Sequence, residues 1–300
     1  MIFYTKNLNM EDQKKNNRTA ILLIHCPDKR GIVASVTDFL HKNNGNIIHL
    51  DQHVDKEKKV FFMRAEWELE DFNIPDNEIA KYFNYSIGKI FDMHFELHFS
   101  DYTPRCAVFV SKLSHCIYDV LARYVSGEWK FEIPVIISNH TALEHVAKRY
   151  DIDFHYLPVN ASNKAEQECR QLELLAQYKI DFVVLARYMQ ILSGDFIGKF
   201  GKPVINIHHS FLPAFPGAKP YHSAYERGVK LIGATGHYVT TELDAGPIIE
   251  QDVVRVTHKH SLEDLIRKGQ DVEKQVLARA IWQHINHMTL VYENRTIVFT

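Results

Sequence analysis

Three side chains in the second half of the chain have the types and the spacing that carbonyl chemistry requires. Asn206 and His208 stand two residues apart at the end of an apolar run, 204–208, so on a strand both side chains point to one side. An amide can donate to a developing oxyanion while a neighbouring imidazole transfers protons. Asp244 lies in a turn-like stretch (LDAGP), and a carboxylate beside His208 would fix the tautomer of its ring. Spacing alone leaves a purely structural role open.

These residues lie in three motifs, NIHHSFLP at 206–213, GATGHYV at 233–239 and DAGPII at 244–249, which together resemble the folate-dependent formyltransferase family. The family's catalytic Asn, His and Asp match Asn206, His208 and Asp244, so the resemblance implies a catalytic role for each. The stretch LARYMQIL at 185–192 resembles the loop that contacts the pterin ring. The resemblance therefore implies that the substrate is bound by Arg187, Tyr188, Met189, Leu192, His237 and Val239.

The elements that must position these groups alternate between strands and helices from Cys106 onward. Strands are predicted at 107–110, 134–138, 154–157, 182–186 and 204–208, and helices at 113–125, 142–150 and 165–178. Such alternation predicts a Rossmann-like, mainly parallel sheet whose functional groups gather at the carboxyl ends of its strands. Two further strands (231–239 and about 248–256), a helix opening with the capping pair Ser261 and Asp264, and a short hairpin within 290–299 complete this part.

The N-terminal part has a different pattern. Strands at 19–26, 46–54, 60–67 and 93–99 and helices near 32–40 and 75–90 follow the order β-α-β-β-α-β of a ferredoxin-like unit. The predicted fold class is therefore α/β, with a first domain at 18–99, a linker at 100–105 and a second domain at 106–300.

The turn DKRGIV at 28–33, followed by GNI at 45–47, resembles an ACT domain, a small regulatory module. The resemblance implies an effector site for a small amino acid at Asp28, Gly31 and Asn46, and self-association into a homo-oligomer. A dimerisation domain that binds no ligand fits the same residues equally well.

The turn after the first strand of the second domain, 110–116 (VSKLSHC), contains no glycine. A transferase that delivers a formyl group to a ribonucleotide needs a phosphate site, and such sites commonly use a glycine-rich turn before a helix. Water therefore remains as the acceptor, and the resemblance then implies hydrolysis of 10-formyltetrahydrofolate, a linear amide, to tetrahydrofolate and formate. This reaction would balance one-carbon pools and supply formate for purine biosynthesis. Transfer to glycinamide ribonucleotide or to a charged initiator tRNA, and a non-enzymatic amino-acid sensor, are the alternatives.

Charge, hydropathy and cysteine spacing exclude several other classes of protein. The 300 residues carry a formal net charge of −2, which provides no electrostatic attraction for nucleic acid, and no apolar run is long enough to span a membrane. The first 18 residues are polar and lack the apolar core of a secretory signal, so we expect a cytoplasmic protein. We expect no metal and no cofactor besides the folate substrate, since the four scattered cysteines form no zinc motif. Among the 18 histidines, the sequence leaves the roles of His209 and His222 open.

Overall fold

The computed structural model describes residues 18–214 and 220–300. They divide into two compact units. The first runs to Tyr102 and also contains Ile297–Thr300, and the second is Thr103–Thr296. The predicted limits, 18–99 and 106–300, differ from this division at the C-terminus, where the last four residues belong to the first unit. Within that unit the Thr300 amide donates to Asp51 at 3.1 Å.

The first unit is an antiparallel sheet in the strand order β2-β3-β1-β4 with helices in its two crossovers. Its elements are β1 (Thr19–Pro27), α1 (Ile32–Lys42), β2 (Ile47–Asp55), β3 (Val60–Glu68), α2 (Asp76–Phe83) and β4 (His94–Phe99). The predicted ferredoxin-like order is confirmed. Its core side chains alternate along β1, as a strand with one face on helices requires.

The predicted helix at 75–90 is only partly regular. After α2 the chain widens into a π-helical stretch, Asn84–Gly88, and ends in one turn, Lys89–Phe91. The Asn84 side chain folds against the next turn, where a Cβ on Gly88 would lie 2.7 Å from its Oδ1. Helical periodicity does not distinguish α from π spacing over so few residues.

The second unit contains a seven-stranded sheet in the order β11-β10-β9-β8-β5-β6-β7. Its strands are β5 (Arg105–Val110), β6 (Glu132–Ser138), β7 (Asp153–Tyr156), β8 (Phe182–Ala186), β9 (Val204–His208), β10 (Leu231–Tyr238) and β11 (Ile248–Arg255). Strands β5 to β9 pair in parallel, and β10 and β11 are antiparallel. The predicted mainly parallel sheet is confirmed. The chain leaves β5 toward β6 and β7 and later returns to β8 beside β5, so strand order reverses between β5 and β8, where such sheets bind ligands.

Helices cover both faces of this sheet. They are α3 (His115–Val125), α4 (Glu144–Arg149), α5 (Lys164–Gln177), α6 (Gly194–Phe200), α7 (Pro220–Arg227) and α8 (Leu262–Ile285). Alternate residues of β5 enter opposite cores: Val108 and Val110 join one, Ala107 and Phe109 the other. The predicted capping box of Ser261 and Asp264 opens α8, and β12 (Thr289–Tyr292) pairs with β13 (Arg295–Val298) as the predicted hairpin. Helices α6 and α7 were not predicted.

Across the two described ranges, no helix combines the length and apolarity that crossing a membrane requires. All four cysteines are free thiols. Three of them, Cys26, Cys106 and Cys116, are buried, and Cys169 is exposed.

Candidate active site

Asn206 and His208 stand at the carboxyl end of β9, and the antiparallel neighbour β10 places His237 opposite Asn206. The Nδ2 atom of Asn206 lies 3.1 Å from Nε2 of His237. Nδ1 of His237 lies 2.9 Å from the carbonyl oxygen of Tyr238. Because a carbonyl oxygen only accepts, Nδ1 carries the proton and Nε2 accepts from Asn206. Burial lowers the pKa of His237 and keeps its ring neutral. Because Nε2 of the neutral ring accepts from Asn206, His237 fixes the orientation of the Asn206 amide.

Asp244 reaches the same place from the loop between β10 and β11. Its Oδ1 lies 3.3 Å from Nδ1 of His208 and 3.9 Å from Nε2 of His237. The hydrogen bond from His208 lowers the pKa of Asp244, so the carboxylate is ionised. His208 therefore donates from Nδ1, and its buried Nε2 has no hydrogen-bond partner within the residues that the structure describes. His208 and Asp244 therefore form a hydrogen-bonded pair beside Asn206 on the cavity wall.

All the residues that the sequence indicated for catalysis and substrate binding line one cavity of about 330 Å³. They are Asn206, His208, Asp244, Arg187, Tyr188, Met189, Leu192, His237 and Val239. His209 also lines it, whereas His222 is exposed on α7 and does not. The loop Thr240–Leu243 completes the wall, within the stretch 239–244 where the family resemblance also implies contacts to the pterin.

The 187–192 loop is fixed by contacts to the body of the second unit. It begins at Arg187, which has a φ of 61°. The Tyr188 ring packs edge-on against Phe109, and its hydroxyl accepts from Gln171, so this side chain is part of the core. Burial raises the pKa of Tyr188 to about 12. The Met189 amide donates to the Ser111 hydroxyl at 2.9 Å. The Tyr188 side chain and the Met189 amide therefore anchor this loop to the core of the unit.

Arg187 is buried, so it is not an ordinary surface charge. Its Nε lies 3.4 Å from Oε2 of Glu273 on α8, and His115, the first residue of α3, contacts the same oxygen at 2.8 Å. The Tyr221 hydroxyl donates to Oε1 of Glu273 at 2.6 Å. Sequence analysis missed Glu273 because its partners are distant in the chain and only folding brings them together.

In the first unit the three residues of the implied effector site are not together. Asp28 and Gly31 line a surface cavity beside the start of α1, and Asn46 does not line it. The Asn46 amide instead donates to Glu68 at 2.6 Å, joining the start of β2 to the end of β3. Gly31 has a φ of 92°, a left-handed conformation that favours glycine.

Gly246 is expected to tolerate no side chain. A Cβ there would lie 1.8 Å from the carbonyl oxygen of Tyr238, which also accepts from His237. We expect Gly246→Ala to lower the free energy of unfolding by about 1–3 kcal/mol, measured by urea titration. The matched control is Gly198→Ala in α6, where a Cβ would meet nothing within 4 Å. It should match the wild type or exceed its stability by about 1 kcal/mol; equal losses in both variants would contradict the expectation.

The ionised Asp244 should make stability depend on pH. Its pKa is below the ordinary value of 3.8 in the folded state, so the unfolded chain takes up the proton first as pH falls. The stabilisation by ionised Asp244 is therefore complete when the pH is above the ordinary pKa of 3.8. It is lost as the pH falls through the lowered pKa of the folded state. Urea unfolding between about pH 3 and pH 6 should show the wild type's advantage over Asp244→Asn shrinking toward the acid end. A constant difference would contradict this.

Comparison with known proteins agrees with this architecture. The family described as "Formyl transferase" matches residues 104–281, and the ACT domain matches residues 20–78. The chain therefore belongs to the formyl transferase family, with an ACT domain in front. Within that family it belongs to the formyltetrahydrofolate deformylases. The formyltetrahydrofolate deformylase of Synechocystis sp. is 54% identical over 283 residues, covering 94% of this chain and 99% of that protein.

Solved structures give the same relationship. A formyltetrahydrofolate deformylase from Pseudomonas syringae pv. tomato superposes with a TM-score of 0.91 at 44% identity, covering 98% of this chain and 99% of the other. The glycinamide ribonucleotide transformylase 1 from Symbiobacterium toebii reaches a TM-score of 0.62 at 29% identity and covers 68% of this chain and 98% of its own. The resemblance to the formyltransferase family and the predicted fold class are confirmed.

Proposed function

We propose that the protein is an enzyme that hydrolyses 10-formyltetrahydrofolate to tetrahydrofolate and formate. The observation that carries the proposal is the arrangement of Asn206, His208 and Asp244 on one cavity, with Nδ1 of His208 lying 3.3 Å from the Asp244 carboxylate. An amide donor, an imidazole and an orienting carboxylate are the groups that amide hydrolysis needs. The family relationship supplies the substrate, because this is the reaction that the name of the relatives describes.

In the proposed mechanism, water adds to the formyl carbon and negative charge collects on the formyl oxygen. The Asn206 amide donates to that oxygen, and its partner His237 keeps the amide turned the right way. His208 takes a proton from the attacking water, while Asp244 stabilises the charged ring through Nδ1. His208 then returns the proton to the leaving nitrogen as the C–N bond breaks, which yields formate and tetrahydrofolate.

The pterin ring would lie in the part of the cavity formed by the 187–192 loop. The apolar side chains of Leu192 and Val239 provide a flat contact surface, and main-chain groups on either side read the polar edge of the ring. Titration calorimetry with an unreactive folate analogue tests this placement. Loss of binding in a Val239→Asp variant that remains folded supports it, and unchanged affinity contradicts it.

The ACT domain is proposed to regulate this activity. A small amino acid would bind beside Asp28 and Gly31, and the domain would hold the protein as a homo-oligomer in the cytoplasm. Hydrolysis without a cofactor would return folate to the one-carbon pool and release formate for purine biosynthesis. Light scattering of the purified chain, with and without candidate amino acids, tests both the assembly and the effector.

The decisive experiment supplies 10-formyltetrahydrofolate with no amine acceptor and follows both products. Equal release of formate and tetrahydrofolate is expected, since water alone serves as acceptor. If neither product forms until glycinamide ribonucleotide is added, the protein is a transferase and the proposal is wrong.

A further inference from the structure

A buried network of four polar side chains lies beside the proposed reaction centre and takes no part in the mechanism above. Glu273 is its centre, with 1% of its side chain exposed, and its carboxylate contacts His115, Tyr221 and Arg187. The four residues come from α8, α3, α7 and the end of β8, so the network joins four elements. Such a buried carboxylate is costly unless every oxygen is paired, and here both are.

The network borders the cavity at Arg187, the first residue of the 187–192 loop. Arg187 and His209 line the cavity, and the His209 ring lies 6.0 Å from the ring of Tyr221, centre to centre. His115 is the first residue of α3, directly after the glycine-free turn that follows β5. Helix N-termini at the carboxyl end of a parallel strand are where phosphates usually bind in such sheets.

Glu273 brings its own negative charge to this place. Burial alone would raise the pKa of Glu273, but the hydrogen bond from His115 and the charge of Arg187 outweigh it and hold the pKa below its usual value. An internal anion therefore already accepts from His115 and Tyr221 and neutralises the charge of Arg187, the groups that an incoming phosphate would require.

A metal ion is the other ligand that this chemistry suggests, since His115, Cys116 and Glu273 offer ligand atoms within 4.8 Å of one another. The Arg187 guanidinium beside the carboxylate opposes a second cation there. Burial also raises the pKa of Cys116 well above its usual value, so the sulfur is a neutral thiol. The contacts favour an internal ion pair over a metal site.

We infer that the Glu273 network determines acceptor specificity: it closes the place where the phosphate of an amine acceptor would bind and thereby leaves water as the only acceptor. This inference rests on the proposed hydrolase function. It assigns Glu273 and His115 as specificity-determining residues, because neither needs to touch the folate.

Inorganic phosphate is the probe, tested on the full-length wild type, Glu273→Ala and the control Glu263→Ala, an exposed glutamate on the same helix. Removing Glu273 opens space and leaves Arg187 and His115 without their anion. With about 20 mM phosphate against chloride at equal ionic strength, we expect Glu273→Ala to gain about 3 °C or more in Tm, and the other two proteins to gain under about 1 °C. Equal shifts in all three proteins, or no shift in a folded Glu273→Ala, overturn the inference.

Glu273→Gln covers the case in which the alanine variant does not fold, because the amide keeps the volume and removes only the charge. Arg187, on the cavity wall, then lacks its counter-charge, and phosphate should inhibit formate release roughly tenfold more strongly than in the wild type. Inhibition constants within about threefold of each other overturn the inference. If the wild type releases no formate at all, the proposed function fails, while the Tm comparison still decides the role of the network.

Discussion

Replacing His208 with alanine is expected to lower the rate of formate release by about 10²–10⁴ without unfolding the protein. The ring is the only group of the proposed mechanism that both takes and returns a proton, and its Nδ1 is already committed to Asp244. The methyl side chain of alanine can neither take nor return a proton. Steady-state formate release, with circular dichroism as the test of folding, measures the effect.

His222→Ala is the matched control, because this histidine is exposed on α7 and lies outside the cavity. Its rate should equal that of the wild type. Asp244→Asn should also remain folded and lose activity, since a neutral amide cannot stabilise a charged His208 ring as a carboxylate does. A His208→Ala rate within about threefold of wild type would remove His208 from the mechanism.

Asn206→Ala carries the second large effect, a fall in kcat of about 10²–10³. The amide donates to the formyl oxygen most strongly when that oxygen carries charge, so kcat should fall while KM changes little. Pre-steady-state and steady-state measurements of formate release separate the two parameters. Asn73→Ala, an exposed asparagine of the first unit, should leave both unchanged. A rise in KM with an unchanged kcat would instead make Asn206 a ground-state binding residue.

Much of this arrangement was predictable because its signals are local. The strand limits 182–186 and 204–208 agree with β8 and β9, and the capping box at Ser261 needs only residues three apart. The family resemblance of their motifs implied that Asn206, His208 and Asp244 act together, and the structure puts them on one cavity. The strand limits and the capping box each depend on a few neighbouring residues, and each of the three motifs is itself a short segment.

The features that sequence analysis missed depend on contacts between distant segments. Glu273 meets His115 across 158 residues, and nothing near either residue predicts the pair. The partner of His237 is set by the register of β9 and β10, which no single strand specifies. Asn46 was assigned to an effector site by motif, but the pairing of β2 with β3 places it next to Glu68.

Three of the four cysteines are buried and one is exposed, so the native protein offers a single thiol for attaching a spectroscopic reporter. The thiolate is the form of cysteine that attacks thiol reagents, and burial raises the pKa of Cys26 to about 11 and that of Cys106 and Cys116 well above the usual value. Cys169 alone is exposed, on α5, whose opposite face packs into the catalytic core. A maleimide fluorophore should therefore label the native chain once, so ligand-induced changes in the catalytic unit can be followed without engineering a cysteine.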